Sequence, residues 1–96
     1  MNKEEICVSD ISAFIKAKRK EFGIGQVQLS KATKISQQCI SFYENGKVNP
    51  KPKTIIKMLA ALGYRVTGHG NGPEMLIIEE IPEERRDELL RRYQNS

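Results

Sequence analysis

QVQLSKATKISQQCISFYENG, residues 26 to 46, decides the fold. Leu29, Ile35 and Ile40 are the large apolar residues of this run, and the apolar pattern breaks between Lys34 and Ser36 before a second short helical run resumes. The spacing predicts two helices meeting at a tight turn. Ser30 is small, which lets the second helix cross closely over the first. Ser36 stands where its hydroxyl caps the second helix and leaves the first turn free for contact. Gln37 and Gln38 follow directly. A glutamine amide holds a donor and an acceptor side by side, the pair that matches N6 and N7 of adenine in the major groove. The chemistry is that of a helix reading base edges.

On these residues the chain resembles the Cro/C1-type (XRE-like) helix-turn-helix family, and SQQCISFYENGK, residues 36 to 47, is similar to the recognition helix of lambdoid phage repressors. The likeness extends through IKAKRKEFGIGQVQL upstream and KPKTIIKMLAALG downstream, covering residues 11 to 63. It implies a mainly α fold, a four-helix lambda-repressor-like domain bound to double-stranded DNA as a homodimer, and a sequence-specific transcriptional regulator acting as a repressor. Carried onto this chain, Gln37, Gln38, Ser41 and Phe42 form the base-reading edge. Ser36, Asn45, Lys47, Lys51 and Lys53 face the phosphate backbone. Gln26 anchors a phosphate and supports Gln37, and Arg19 pairs with Glu44 to fix the recognition helix. Three positions depart from the family pattern: Gly25 replaces a polar cap, Lys34 a turn glycine, and Phe42 a polar reading residue. Glycine caps a helix almost as well as threonine. Lysine in a turn that calls for positive φ carries a steric cost. An aromatic ring at position 42 still suits a thymine methyl.

Outward from this motif, Ile11, Phe14 and Ile15 share one face of a first helix, with Ser9 or Asp10 expected as its cap and Gly23 closing it after Phe22. Pro52 suits the first turn of a fourth helix, whose expected core face is Ile55, Ile56, Leu59, Ala60 and Leu62, closed by Gly63. The net charge of +4 is unevenly spread. Residues 11 to 73 carry +9, against −2 before them and −3 after them. A basic centre neutralises phosphates and speeds encounter with DNA.

After Gly63 the pattern changes. YRVTG and EMLIIEE, separated by the glycine-rich HGNGP, read as a hairpin or strand pair. Met75, Leu76, Ile77 and Ile78 are consecutively apolar, so both faces of that strand call for cover. A two-stranded hairpin is marginal alone, and the expected remedy is a sheet shared between two subunits, with these four residues at the dimer contact. A last helix begins after Pro82, with Glu83 and Glu84 at its start and Arg91 and Arg92 at its end, in the sense the helix dipole favours. Asp87 with Arg91 and Glu88 with Arg92 are spaced to pair. Its stripe of Ile81, Leu89, Leu90 and Tyr93 is narrow, and packing on its own dimer or lying loose in solvent is favoured over docking onto a partner protein. The chain divides into an N-terminal extension (1–10), the helix-turn-helix domain (11–63) and a strand and helix extension (64–96) for dimerisation or partner binding.

Ninety-six residues allow one small domain with a limited core. Cys7 and Cys39 are too few and too far apart for a disulfide framework or a metal clip, so a reducing, cytoplasmic setting is expected and Cys39 reads as a small, partly buried residue. No segment spans a membrane, and MNKEEICVSD lacks the apolar core of a signal peptide. GHGNG lacks the spacing of a phosphate loop, and His69 within it reads as a turn residue without metal. No cofactor and no catalytic constellation is expected, which excludes an enzyme. The alternative to a plain repressor is similarity to HipB-like antitoxins, on the strand sequence LGYRV after the helix-turn-helix. It implies a toxin protein as second partner.

Overall fold

The computed structural model describes residues 3–72 and 74–94, without the side chains of Leu90, Arg92 and Gln94; Pro73 and the expected roles of Leu90 and Arg92 lie outside the described residues. The element order is β1 (Lys3–Cys7), a 3-10 turn (Val8–Asp10), α1 (Ile11–Glu21), α2 (Gln26–Thr33), α3 (Gln37–Glu44), α4 (Pro52–Ala61), β2 (Tyr64–His69), β3 (Met75–Glu80) and α5 (Glu83–Gln94). Five helices and a small sheet share one core.

The first helix is entered differently from expectation. Asp10 is the N-cap residue but is itself helical (φ −97°, ψ −4°), and no side chain caps the helix. The preceding 3-10 turn delivers the chain already coiled, so neither Ser9 nor Asp10 is needed there. α1 ends as expected, with Phe22 at the C-cap and Gly23 at φ +70°. In α4 the buried residues are Ile55, Met58, Leu59 and Ala61, whereas Ala60 is exposed and Ile56 is 50% exposed. Residues at i, i+3, i+4 and i+7 share a helix face, so the stripe through 55, 58, 59 and 62 leaves 56 and 60 on its flank.

The sheet has three strands in the order β1-β3-β2, both pairings antiparallel. The segment assigned no element by its sequence, residues 3 to 7, lies along β3 in the register Lys3 opposite Glu79 and Ile6 opposite Leu76. β3 is therefore flanked on both sides by strands of its own chain. Successive strand residues face opposite sides. Leu76 and Ile78 accordingly point into the core with Tyr64, and Met75 and Ile77 lie half-buried on the other face. Of Met75, Leu76, Ile77 and Ile78, expected together at a dimer contact, Leu76 and Ile78 are buried by their own chain.

One apolar core runs through all layers, from Ile11 and Ile15 of α1 through Leu29, Ile40 and Leu59 to Tyr64, Ile78 and Tyr93. Phe14 meets Tyr64 edge to face at 5.3 Å. α5 packs on its own bundle. Tyr93 donates its hydroxyl proton to Ala61 O (2.6 Å), and Gln28 Nε2 donates to Tyr93 O (3.1 Å). Gly63 lies at φ +88°, a backbone that calls for glycine, and a Cβ there would stand 3.1 Å from Arg86 Cγ and press on that side chain. Arg86 stacks over Phe22 and Tyr64 and reaches Glu80 at 3.3 Å. Among the described residues, Asp87 and Arg91 form no ion pair.

Candidate nucleic-acid interface

The α2–α3 unit is built by short-range chemistry. At the start of α2, Gly25 is extended (φ −80°, ψ 164°) and its N–H is taken by Gln28 Oε1 at 2.7 Å. That is the back-bonding half of a capping box, with Gln28 at the third helical position. At the turn, Lys34 is left-handed (φ +65°, ψ +19°) and donates its N–H to Ser30 O. Ser30 Oγ donates to Ile35 O at 2.5 Å, so the small residue also ties the turn down. Ser36 caps α3 as expected, its Oγ accepting from Cys39 N at 3.2 Å.

α3 then presents one face to solvent. Gln37 and Gln38 are exposed in its first turn, Ser41 and Phe42 are half-exposed one turn on, and exposed Asn45 closes it, while Ile40 and Glu44 are buried beneath. The i, i+4 spacing of 37, 41 and 45, and of 38 and 42, sets these residues in adjacent rows. Cys39 is exposed, contrary to its expected partial burial, because it sits one step round from Gln38 on the solvent side. Asn45 Nδ2 donates weakly to Ser41 Oγ at 3.4 Å. Phe42 has a neighbour that its sequence reading missed: Lys47 Nζ lies over the ring, 5.9 Å from its centroid, and Lys47 N donates to Phe42 O at 3.0 Å. The chain reversal at Gly46 brings them together. Lys51 and Lys53 are exposed at the entry to α4.

The face is held by a buried ion pair. Arg19 Nε donates to Glu44 Oε2 at 2.7 Å and Nη2 to Oε1 at 2.9 Å, while Nη1 donates to Ile24 O at 2.8 Å. The Glu44 side chain is 2% exposed. Burial alone would raise its carboxyl pKa, but the hydrogen bonds from Arg19 and Gln26 and the Arg19 charge outweigh it, and the group is held below its ordinary value. Gln26, expected to support Gln37, donates from Nε2 to Glu44 Oε1 at 3.1 Å. Its side chain is thus fixed by the ion pair, with a second amide proton and the carbonyl oxygen left over.

With this geometry in view, known proteins place the chain. The helix-turn-helix family profile matches residues 15–68. An uncharacterized HTH-type transcriptional regulator of Haemophilus influenzae is 39% identical over 66 residues, covering 65% of this chain and 67% of that protein. No solved structure matches the chain. The chain belongs to the Cro/C1-type (XRE-like) helix-turn-helix family. Its function is that of a DNA-binding transcription regulator. Among the described residues no helix is long and apolar enough to cross a membrane.

Proposed function

We propose that the protein is a homodimeric repressor that occupies an inverted-repeat operator, reading bases in the major groove with Gln37 and Gln38 and flanking positions with Ser41 and Phe42. The observation that carries this reading is the exposed first turn of α3, two adjacent glutamine amides on a helix fixed from below by the Arg19–Glu44 pair. Ser36, Asn45, Lys47, Lys51 and Lys53 surround that turn and serve the phosphates, and Gln26 offers its second amide proton to one more. Phe42 also acts as a shelf that keeps the Lys47 ammonium beside the groove, a cation–π contact of about 0.5–1 kcal/mol at an exposed site.

A two-fold dimer presents two such helices to half-sites one helical turn, ~34 Å, apart. Molecular extents of 39 × 32 × 20 Å are compatible with that separation for two copies side by side. Of the strand residues first assigned to the dimer contact, Met75 and Ile77 remain accessible to it. The antitoxin alternative rests on the segment LGYRV, in which Leu62, Gly63 and Tyr64 are buried within this chain while Arg65 is exposed and Val66 half-buried.

Selection of bound sites from random DNA, with sedimentation of the free protein, tests the proposal. Gln37→Ala and Gln38→Ala are expected to cost about 1–3 kcal/mol on the selected site and much less on random DNA. Equal losses on both DNAs would make the glutamines positioning contacts and overturn the assignment.

A further inference from the structure

A cleft of about 580 Å³ opens between α2, α4 and α5, away from any residue assigned to base reading. Its floor is apolar, made by Ala32, Ala60, Ala61 and Leu89; the three alanines leave the volume that larger side chains would fill. Its rim is cationic. Lys31, Lys34 and Lys57 line it, and none of the three has a carboxylate partner among the described residues. The cleft on the other side of Ala60 and Leu89, about 630 Å³, mixes Arg65 and Arg85 with Glu88 and presents no single sign. Small-molecule sites are largely apolar concavities of about 300–1,000 Å³ with a few polar groups that fix orientation. Like charges gathered around such a concavity favour the opposite charge in a ligand.

We propose that this cleft binds a small organic anion, an apolar body ending in a carboxylate that meets the three lysines. The site is placed to be felt by α2. Tyr93 forms part of its wall, Gln28 Nε2 donates to Tyr93 O, and Gln28 Oε1 accepts the Gly25 N–H that opens α2. An anion seated against α5 therefore acts on the same side chain that caps the α2 N-terminus, one residue before Gln26. The consequence for DNA rests on the function proposed above; the binding itself does not.

The probes are sodium octanoate and its neutral isostere octanamide, titrated into the full chain and followed by amide ¹H–¹⁵N spectra without DNA. Saturable shifts centred on Thr33, Ala60, Ala61 and Leu89 are expected, with the Gly25 amide and the Gln28 side-chain amide moving in the same titration. Octanoate should bind about tenfold tighter than octanamide, since solvent-exposed ion pairs are individually weak and three act together. K31Q/K34Q/K57Q should abolish that preference and leave octanamide binding in place. Equal affinities, or shifts that do not saturate or that centre elsewhere, overturn the site, and a still Gly25 and Gln28 overturn the link to α2. If the triple variant instead lowers the salt slope of DNA binding by about three, one unit per lysine, these side chains face phosphates and the proposal fails while the DNA reading stands.

Discussion

Removing Arg19 alone should damage the protein far more than removing Arg19 and Glu44 together. In Arg19→Met, Glu44 loses both charged hydrogen bonds, at 2.7 and 2.9 Å, and keeps only the amide of Gln26 at 3.1 Å. With 2% of its side chain exposed, it has little recourse to water. Breaking a buried pair from one side costs about 3–5 kcal/mol, because the surviving charge stays desolvated and uncompensated. In a domain of about 100 residues each kcal/mol lowers Tm by about 4–8 °C, so even the lower figure gives a fall of about 12–24 °C. Glu44→Leu should sit at the mild end, since Arg19 retains Ile24 O at 2.8 Å and its side chain is 10% exposed. Arg19→Met/Glu44→Leu removes both charges and fills the space with apolar atoms, a change expected within about 1 kcal/mol of wild type.

Urea unfolding of the four proteins at pH 7, followed by circular dichroism, measures the cycle, and pH gives a second, independent sign. In the wild type the Glu44 pKa is depressed, so its contribution is present above the ordinary carboxylate range and is lost as pH falls through the folded pKa. In Arg19→Met the burial that opposes ionisation is no longer outweighed. The folded pKa then rises, and stability is fully present in acid and lost as pH increases through it. Arg19→Met should therefore gain on the wild type as pH is lowered. Single variants within 0.5 kcal/mol of wild type, or a double variant as poor as the sum of the singles, would refute the reasoning.

Three other outcomes are expected. Lys34→Gly should raise stability by about 0.5–1 kcal/mol, because an L side chain in the left-handed region costs about 1–2 kcal/mol and glycine gives part of that back through its freer unfolded state; an unchanged or lower Tm would oppose this. Tyr93→Phe should cost about 1–2 kcal/mol by leaving Ala61 O, an orphan carbonyl at the end of α4, without its 2.6 Å donor. Burial pushes the Tyr93 phenol up to about 12 from 10.0, so its contribution is complete below pH 10 and disappears as pH rises through 12, and one tyrosine should ionise late in an ultraviolet titration. Truncation after Gly63 should unfold the chain, since Tyr64, Leu76, Ile78 and Tyr93 belong to the core, and a cooperative melt of residues 1–63 would contradict that.

The helix-turn-helix was readable because its determinants are local. Ser36 caps three residues ahead, Gln28 reaches back three, and Ile40 and Glu44 fall four apart on the buried face. The same locality explains the error in α4. Within TIIKMLAAL nearly every position is apolar, so the true face through Met58 could not be told from one through Ile56 and Ala60. β1 was invisible for a different reason. KEEIC carries three charges and no strand alternation of its own, and its conformation is set by the pairing with β3, far away in sequence, Lys3 opposite Glu79 and Cys7 opposite Met75. Partner choice for single side chains was equally hidden: the family resemblance put Gln26 beside the recognition helix but could not say that its amide turns to Glu44, or that Lys47 folds back over Phe42.

The apolar run Met75–Ile78 shows what periodicity does and does not contain. Four consecutive apolar residues state that a strand needs cover on both faces, and they do not state whose atoms supply it. Here the core face is covered by the chain's own helices and both edges by its own strands, so a shared intermolecular sheet cannot form through β3. A subunit that joined through the sheet would use an outer edge of β1 or β2, or the half-buried face of Met75 and Ile77. The segment after Gly63 is thereby integral to the DNA-binding unit: Tyr64 packs on Phe14 of α1, Tyr93 closes α4, and Gln28 ties α5 to the start of α2. A perturbation of α5 consequently reaches the helix that carries Gln26 through one side chain, with no need for a rearrangement of the core.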